Sequence, residues 1–109
     1  MRVGFLLHYR LMAISKTHKK MAEQSAELFG LVASTTRVLI LTTLMKKKEL
    51  AVQDIAEEIG MTHSSVSHQL GLLAEMNIVT SRKDGRLMFY KIASGKEPKA
   101  LVKFLSALT

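Results

Sequence analysis

The 109-residue sequence predicts a mainly α-helical fold with one small β-hairpin, ordered α-α-α-α-β-β-α behind an N-terminal extension. Three observations predict it. Apolar residues recur at three- and four-residue spacing through most of the chain, the signature of buried helix faces. That period breaks down only over residues 78–92, where two short apolar runs stand side by side. Between those runs lies Asp84-Gly85, a strong tight-turn signal for a hairpin.

The elements follow in order. Val3 to Ile14 is mostly apolar but is interrupted by His8 and Arg10. It is too short and too charged to span a bilayer, and no small-residue cleavage site follows it. Residues 1–17 therefore read as an extension, an extra helix or arm, and 18–109 as the folded domain. Met12 and Met21 would each serve as a start, so the first residues are expected to be dispensable. Over 18–33, Ala22, Ala26, Phe29 and Val32 fall near one helical face. Ser34 or Thr35 can cap a second helix, because a short hydroxyl satisfies orphan N–H groups. That helix, Arg37 to Met45, is apolar on most sides and should be central and buried. Lys46-Lys47-Lys48 ends it, where cations suit the helix dipole.

Val52, Ile55, Ala56 and Ile59 mark a short amphipathic helix that Gly60 ends. Thr62 can cap the next helix, with Val66, Leu70 and Leu73 as its buried stripe. Asn77 stops it, since Asn tolerates left-handed backbone. Ile78 to Arg82 and Leu87 to Ile92 are the two strands. Ser94-Gly95 breaks the second, and Pro98 suits the first turn of a last helix. Its apolar face is Leu101, Val102, Leu105 and Leu108.

Composition narrows function. There are no cysteines, which excludes disulfides, thiolate nucleophiles and zinc sites built on Cys. Net charge is +7, but residues 1–20 carry five of the bases and no acid. The remaining 89 residues hold 11 bases and 9 acids, so placement matters more than the total. A basic balance points to nucleic acid or an anionic surface.

Residues 51–75 fit two helices joined by a short Gly-containing turn, the helix-turn-helix. A basic hairpin follows at once, which makes the pattern a winged helix-turn-helix. The DNA major groove admits one α-helix, whose N-terminal residues reach base edges. Outward positions there should carry short or medium hydrogen-bonding side chains, and none of His63, Ser64, Ser67 and His68 is a carboxylate. Ser65 and Gln69 complete the candidate set on this helix, with Ser65 partly facing the preceding one. Arg82, Lys83 and Arg86 in the hairpin suit phosphates or an adjacent minor groove. Lys46, Lys47 and Lys48 are candidate phosphate contacts and equally a solvated helix end.

On these residues the chain resembles the ArsR/SmtB winged-helix transcriptional repressors of bacteria. The resemblance covers roughly residues 22–108. It rests on Ala26-Glu27-Leu28-Phe29 with Thr36 to Leu41, on Ile55-Ala56 with Gly60, and on Ser64-Ser65-Val66-Ser67-His68-Gln69-Leu70 with Leu73. It continues through Ile78-Val79, Arg82 to Arg86 and Phe89-Tyr90. It implies a homodimer, paired through the first and last helices, that represses transcription and releases DNA on sensing a signal. The lack of cysteine fits a cytoplasmic protein, and a two-fold dimer should bind an inverted-repeat operator on double-stranded DNA. The family's usual Asp-Pro is here Ser34-Thr35, and its usual Gly before the wing is Asn77. The larger departure is in sensing. There is no Cys, and residues 97–109 offer only Glu97 among ligand types. No cofactor and no metal are therefore expected at the family's usual positions.

Other readings are weaker. His63 and His68 are five apart, not the three or four that align on a helix face, and no acid lies among them. A metal site drawing on His8 or His18 has no evident partner residues. Ser67-His68 cannot form a nucleophile–base pair, because neighbours on a helix point about 100° apart. No Gly-x-Ser-x-Gly frame exists, so an enzyme is not expected. A winged helix can also serve as a protein-interaction module, which would show apolar anchors where this one shows polar and basic groups.

Overall fold

The computed structural model describes the backbone of residues 2–108, with side chains for Leu7 and for residues 15–108. The chain divides into two compact units after Leu31. The first is a single helix, α1 (Arg2–Leu31). The extension read over 1–17 thus continues without a break into the helical segment read from residue 18. The side chains of His8 and Arg10 lie outside the described residues.

The second unit holds α2 (Thr35–Lys47), β1 (Glu49–Ala51), α3 (Val52–Ile59), α4 (His63–Glu75), β2 (Val79–Asp84), β3 (Leu87–Ile92) and α5 (Lys96–Leu108). Ser34 caps α2, its hydroxyl accepting from the Arg37 amide at 3.4 Å. As expected, α2 is the hub, packing on α3, α4, α5, β1 and β3. It is not buried on every side: Ile40, Leu41 and Leu44 are buried while Leu39 is exposed. Ile40 and Leu44, one turn apart, present the same face inward with Leu41 beside them, and that face carries the burial.

Gly60 takes left-handed backbone at φ 69, and the Met61 amide donates back to the Ala56 carbonyl at 3.0 Å. This closes α3 and leaves three residues, Gly60 to Thr62, as the turn of the helix-turn-helix. Thr62 then caps α4 as its hydroxyl accepts from the Ser65 amide at 3.2 Å. Val66, Leu70 and Leu73 are 0% exposed. Burying each contributes roughly 1.5–3 kcal/mol, which fixes the rotation of α4 about its axis. Asn77 ends the connection at φ 61, and the Ile78 amide reaches back to the Leu73 carbonyl at 2.9 Å. The wing therefore starts directly from the end of α4.

The sheet is antiparallel in the order β1-β3-β2. Strand β1 is a departure from the expected order, which had only two strands. It pairs with β3, Glu49 opposite Lys91 and Ala51 opposite Phe89. Three residues are too few to show alternation, and the lysine run before them reads as a helix end. The hairpin also differs in detail. Lys83 and Asp84 belong to β2, and the two loop residues are Gly85 and Arg86. Gly85 supplies the positive φ, 63°, at the first loop position.

In α5, Pro98, Leu101 and Leu105 are buried. Leu108, expected on the same face, is 69% exposed, and Phe104 is 40% exposed. Leu108 is the last residue of the helix, one turn beyond the last buried position, Leu105.

Candidate nucleic-acid interface

Side chains four apart on a helix share a face, so the predicted recognition residues fall into three rows. His63 and Ser67 form the first. They line a cleft of about 150 Å³ together with Ala51, Val52, Gln53, Arg86, Leu87, Met88 and Tyr90. Ser64 and His68 form the second row, and both are exposed. Ser65 and Gln69 form the third and are half-buried. The Gln69 amide oxygen accepts from Arg37 Nε at 2.9 Å, tying α4 to the first turn of α2. Gln69 is thus engaged within the fold, while Ser64 and His68, like His63, are exposed.

The wing cations also divide. Arg82 is anchored. Its Nη2 lies 2.8 Å from Glu49 Oε1, and its Nε lies 3.0 and 3.1 Å from the two Glu49 oxygens. Its guanidinium sits 4.6 Å from the Phe89 ring centroid, and Nη1 is 3.6 Å from Asp84 Oδ2. The hydrogen bond from Arg82 holds the Glu49 carboxyl below the ordinary glutamate value, with the charges of Arg82 and Lys91 acting the same way. Lys83 and Arg86 are exposed at the wing tip.

Lys46, Lys47 and Lys48 are exposed at the junction of α2 and β1. Lys48 lines a separate groove of about 340 Å³ with Leu44, Met45, Lys91, Ile92 and Val102. The structure therefore does not bring Lys48 into the cleft between α4 and the wing. Among the described residues no group of three or more His, Asp or Glu side chains is placed to hold a metal ion. No single described helix is long and apolar enough to cross a membrane.

Sequence reasoning passed over Arg37, Glu49 and Gln53. Arg37 stood only inside an apolar helix, and Glu49 followed a lysine run. Gln53 is the second residue of α3, with nothing in its spacing to mark it. Each acquires its place from contacts across the fold, not from neighbours in the chain.

A helix-turn-helix whose second helix exposes a polar N-terminal face, flanked by a basic hairpin, defines a winged-helix DNA-binding regulator. The model of the arsR family of bacterial regulatory proteins matches residues 34–81. The nodulation protein NolR of Rhizobium meliloti is 29% identical over 98% of this chain and 84% of its own length. An uncharacterized HTH-type transcriptional regulator of Methanocaldococcus jannaschii is 31% identical over 79% of this chain and 96% of its own. The crystal structure of the transcriptional repressor BigR from Xylella fastidiosa superposes with a TM-score of 0.76 at 25% identity. That alignment covers 85% of this chain and 91% of BigR. The chain belongs to the arsR family, and it is a DNA-binding transcriptional regulator, not an enzyme.

Proposed function

We propose that the protein is a dimeric repressor acting in the cytoplasm on an inverted-repeat operator. The observation that carries this reading is the exposed polar face of α4 beside the exposed wing cations Lys83 and Arg86. The N-terminal half of α4 enters the major groove, with His63, Ser64, Ser67 and His68 as the reading set and Ser65 and Gln69 supporting it. The wing, through Lys83 and Arg86 with Arg82 behind them, meets the flanking backbone. Lys46, Lys47 and Lys48 supply further phosphate contacts. No apolar anchor lies on the outer face of α4, which argues against a protein-interaction module.

Dimerisation through the first and last helices is supported by their exposed apolar side chains. On α1, Leu7 and Met21 are each more than half exposed, and on α5 Leu108 is 69% exposed. Residues 18–109 make up the DNA-binding and dimerisation domain, with 1–17 as its extension. No metal acts at the last helix, since α5 offers only Glu97.

Footprinting with selected duplexes, alongside sedimentation, tests the reading. A two-fold dimer protects half-sites about one or two turns apart, each turn roughly 10 bp. A monomer at micromolar concentration that protects no inverted repeat overturns it. Zinc titration should leave the complex intact, and release of the duplex by zinc would overturn the metal-free reading.

A further inference from the structure

We propose that the cleft between the His63–Ser67 row and the wing seats one sugar–phosphate unit of the operator backbone. On this proposal base reading falls to the Ser64–His68 row. The proposal rests on the DNA-binding mode given above and narrows it, moving His63 and Ser67 from the reading set to the backbone. A helix in the major groove and a wing at the neighbouring minor groove stand on either side of one sugar–phosphate strand. That strand must pass through whatever space separates them. The structure has a cleft of about 150 Å³ at that place, walled by His63 and Ser67 on α4 and by Arg86, Leu87 and Met88 on β3 and its loop.

Its chemistry is mixed in the way a sugar–phosphate requires. Val52, Leu87, Met88 and the ring of Tyr90 offer an apolar bed for deoxyribose. Arg86, His63, Ser67 and Gln53 offer donors for phosphate oxygens. The start of α3 adds a further source of donors. Its N-cap is Ala51, which makes no side-chain cap, so the first-turn amides beside Gln53 have no side-chain partner. Asp54, the acid of that turn, is not among the cleft's lining residues. The Ser64–His68 row, one residue further round α4, is exposed and outside the cleft. It is free to meet base edges.

The test uses the full chain and a duplex that it enriches from a random library, scored against every single-base-pair variant and against random-sequence duplex. Gln53→Ala and Ser67→Ala should each weaken selected and random duplexes by the same factor, about fivefold for one lost hydrogen bond, and Leu87→Ser should weaken both alike through lost apolar contact with the sugar. They should leave the ranking of base-pair variants unchanged. Ser64→Ala and His68→Ala should flatten that ranking. A single methylphosphonate, placed at successive backbone positions, should weaken wild type at the position seated in the cleft, and should weaken Arg86→Gln less at that position. Cleft variants that reorder the base-pair ranking, or that bind as wild type does, overturn the proposal while leaving DNA recognition in place. If no duplex is enriched, both readings fall. Gln53 is exposed, so its variant keeps the test valid should Ser67→Ala disturb folding.

Discussion

The guanidinium of Arg82 closes on the carboxylate of Glu49 at 2.8–3.1 Å, reaching from β2 across β3 to β1. The two outer strands of the sheet are thereby joined by side chains although they share no ladder. A wing cation is committed to holding the wing, and it carries an acid with it.

Glu49→Gln should therefore free Arg82 for phosphate. Duplex affinity at low salt is expected to rise, and the slope of log affinity against log salt to steepen by about one unit. An unchanged slope would show that Arg82 has no phosphate within reach once released.

The same pair sets a small pH dependence. Because Arg82 holds the Glu49 carboxyl below its ordinary value of 4.5, the stabilisation is fully present above that pH. It is lost as pH falls through the lower folded value. Both groups are largely solvated, so the effect is modest. Thermal midpoints of wild type and Glu49→Gln should differ slightly at neutral pH and converge in acid, once the pH has fallen through the lowered folded value. Persistent separation in acid would assign the difference to packing instead.

Arg37 and Gln69 should show energetic coupling. Gln69→Leu keeps the shape of the side chain and removes the acceptor. A double-mutant cycle with Arg37→Met is expected to give an interaction of about 0.5–2 kcal/mol by urea unfolding. A coupling near zero would mean that the contact neither fixes α4 nor stabilises the fold.

Leu70 is 0% exposed at the centre of the α4 stripe. Leu70→Ala should cost about 2–5 kcal/mol, enough to remove much of a small domain's stability. A loss under about 1 kcal/mol, read from the urea midpoint at unchanged slope, would contradict the packing described.

Lys48 sits at φ 64 and ψ −65 just after α2, an unusual conformation for a residue with a side chain. Lys48→Gly should raise stability by up to about 1 kcal/mol, because glycine takes positive φ without the steric cost. Calorimetry showing clear destabilisation would mean that the lysine side chain offsets the strain.

The helices, their caps and the wing were legible in the sequence because each depends on neighbours a few residues away. Ser34, Gly60, Thr62, Asn77 and Gly85 act on backbone within a turn of themselves, and residue type alone announces them. The polar residues proposed for recognition were legible as a group, since they stand together on one short helix. Their division into rows was not. Whether Ser67 faces a cleft or open solvent depends on where β3 lies, which begins twenty residues on in the chain. Arg82 illustrates the same limit. As a basic residue in a basic hairpin it reads as a free cation, and only β1, invisible by periodicity, supplies the acid that holds it.

Asn77 has a consequence for how DNA is measured. With the Ile78 amide bonded to the Leu73 carbonyl, and Ala93 donating in turn to the Ile78 carbonyl, no slack separates α4 from the wing. The spacing between the two is a fixed length, so a duplex that engages both must bring its groove geometry to match. Sequences whose minor groove narrows or bends at low energetic cost will then be favoured at base pairs that no side chain touches. Part of the operator's identity would be written in stiffness instead of hydrogen bonds.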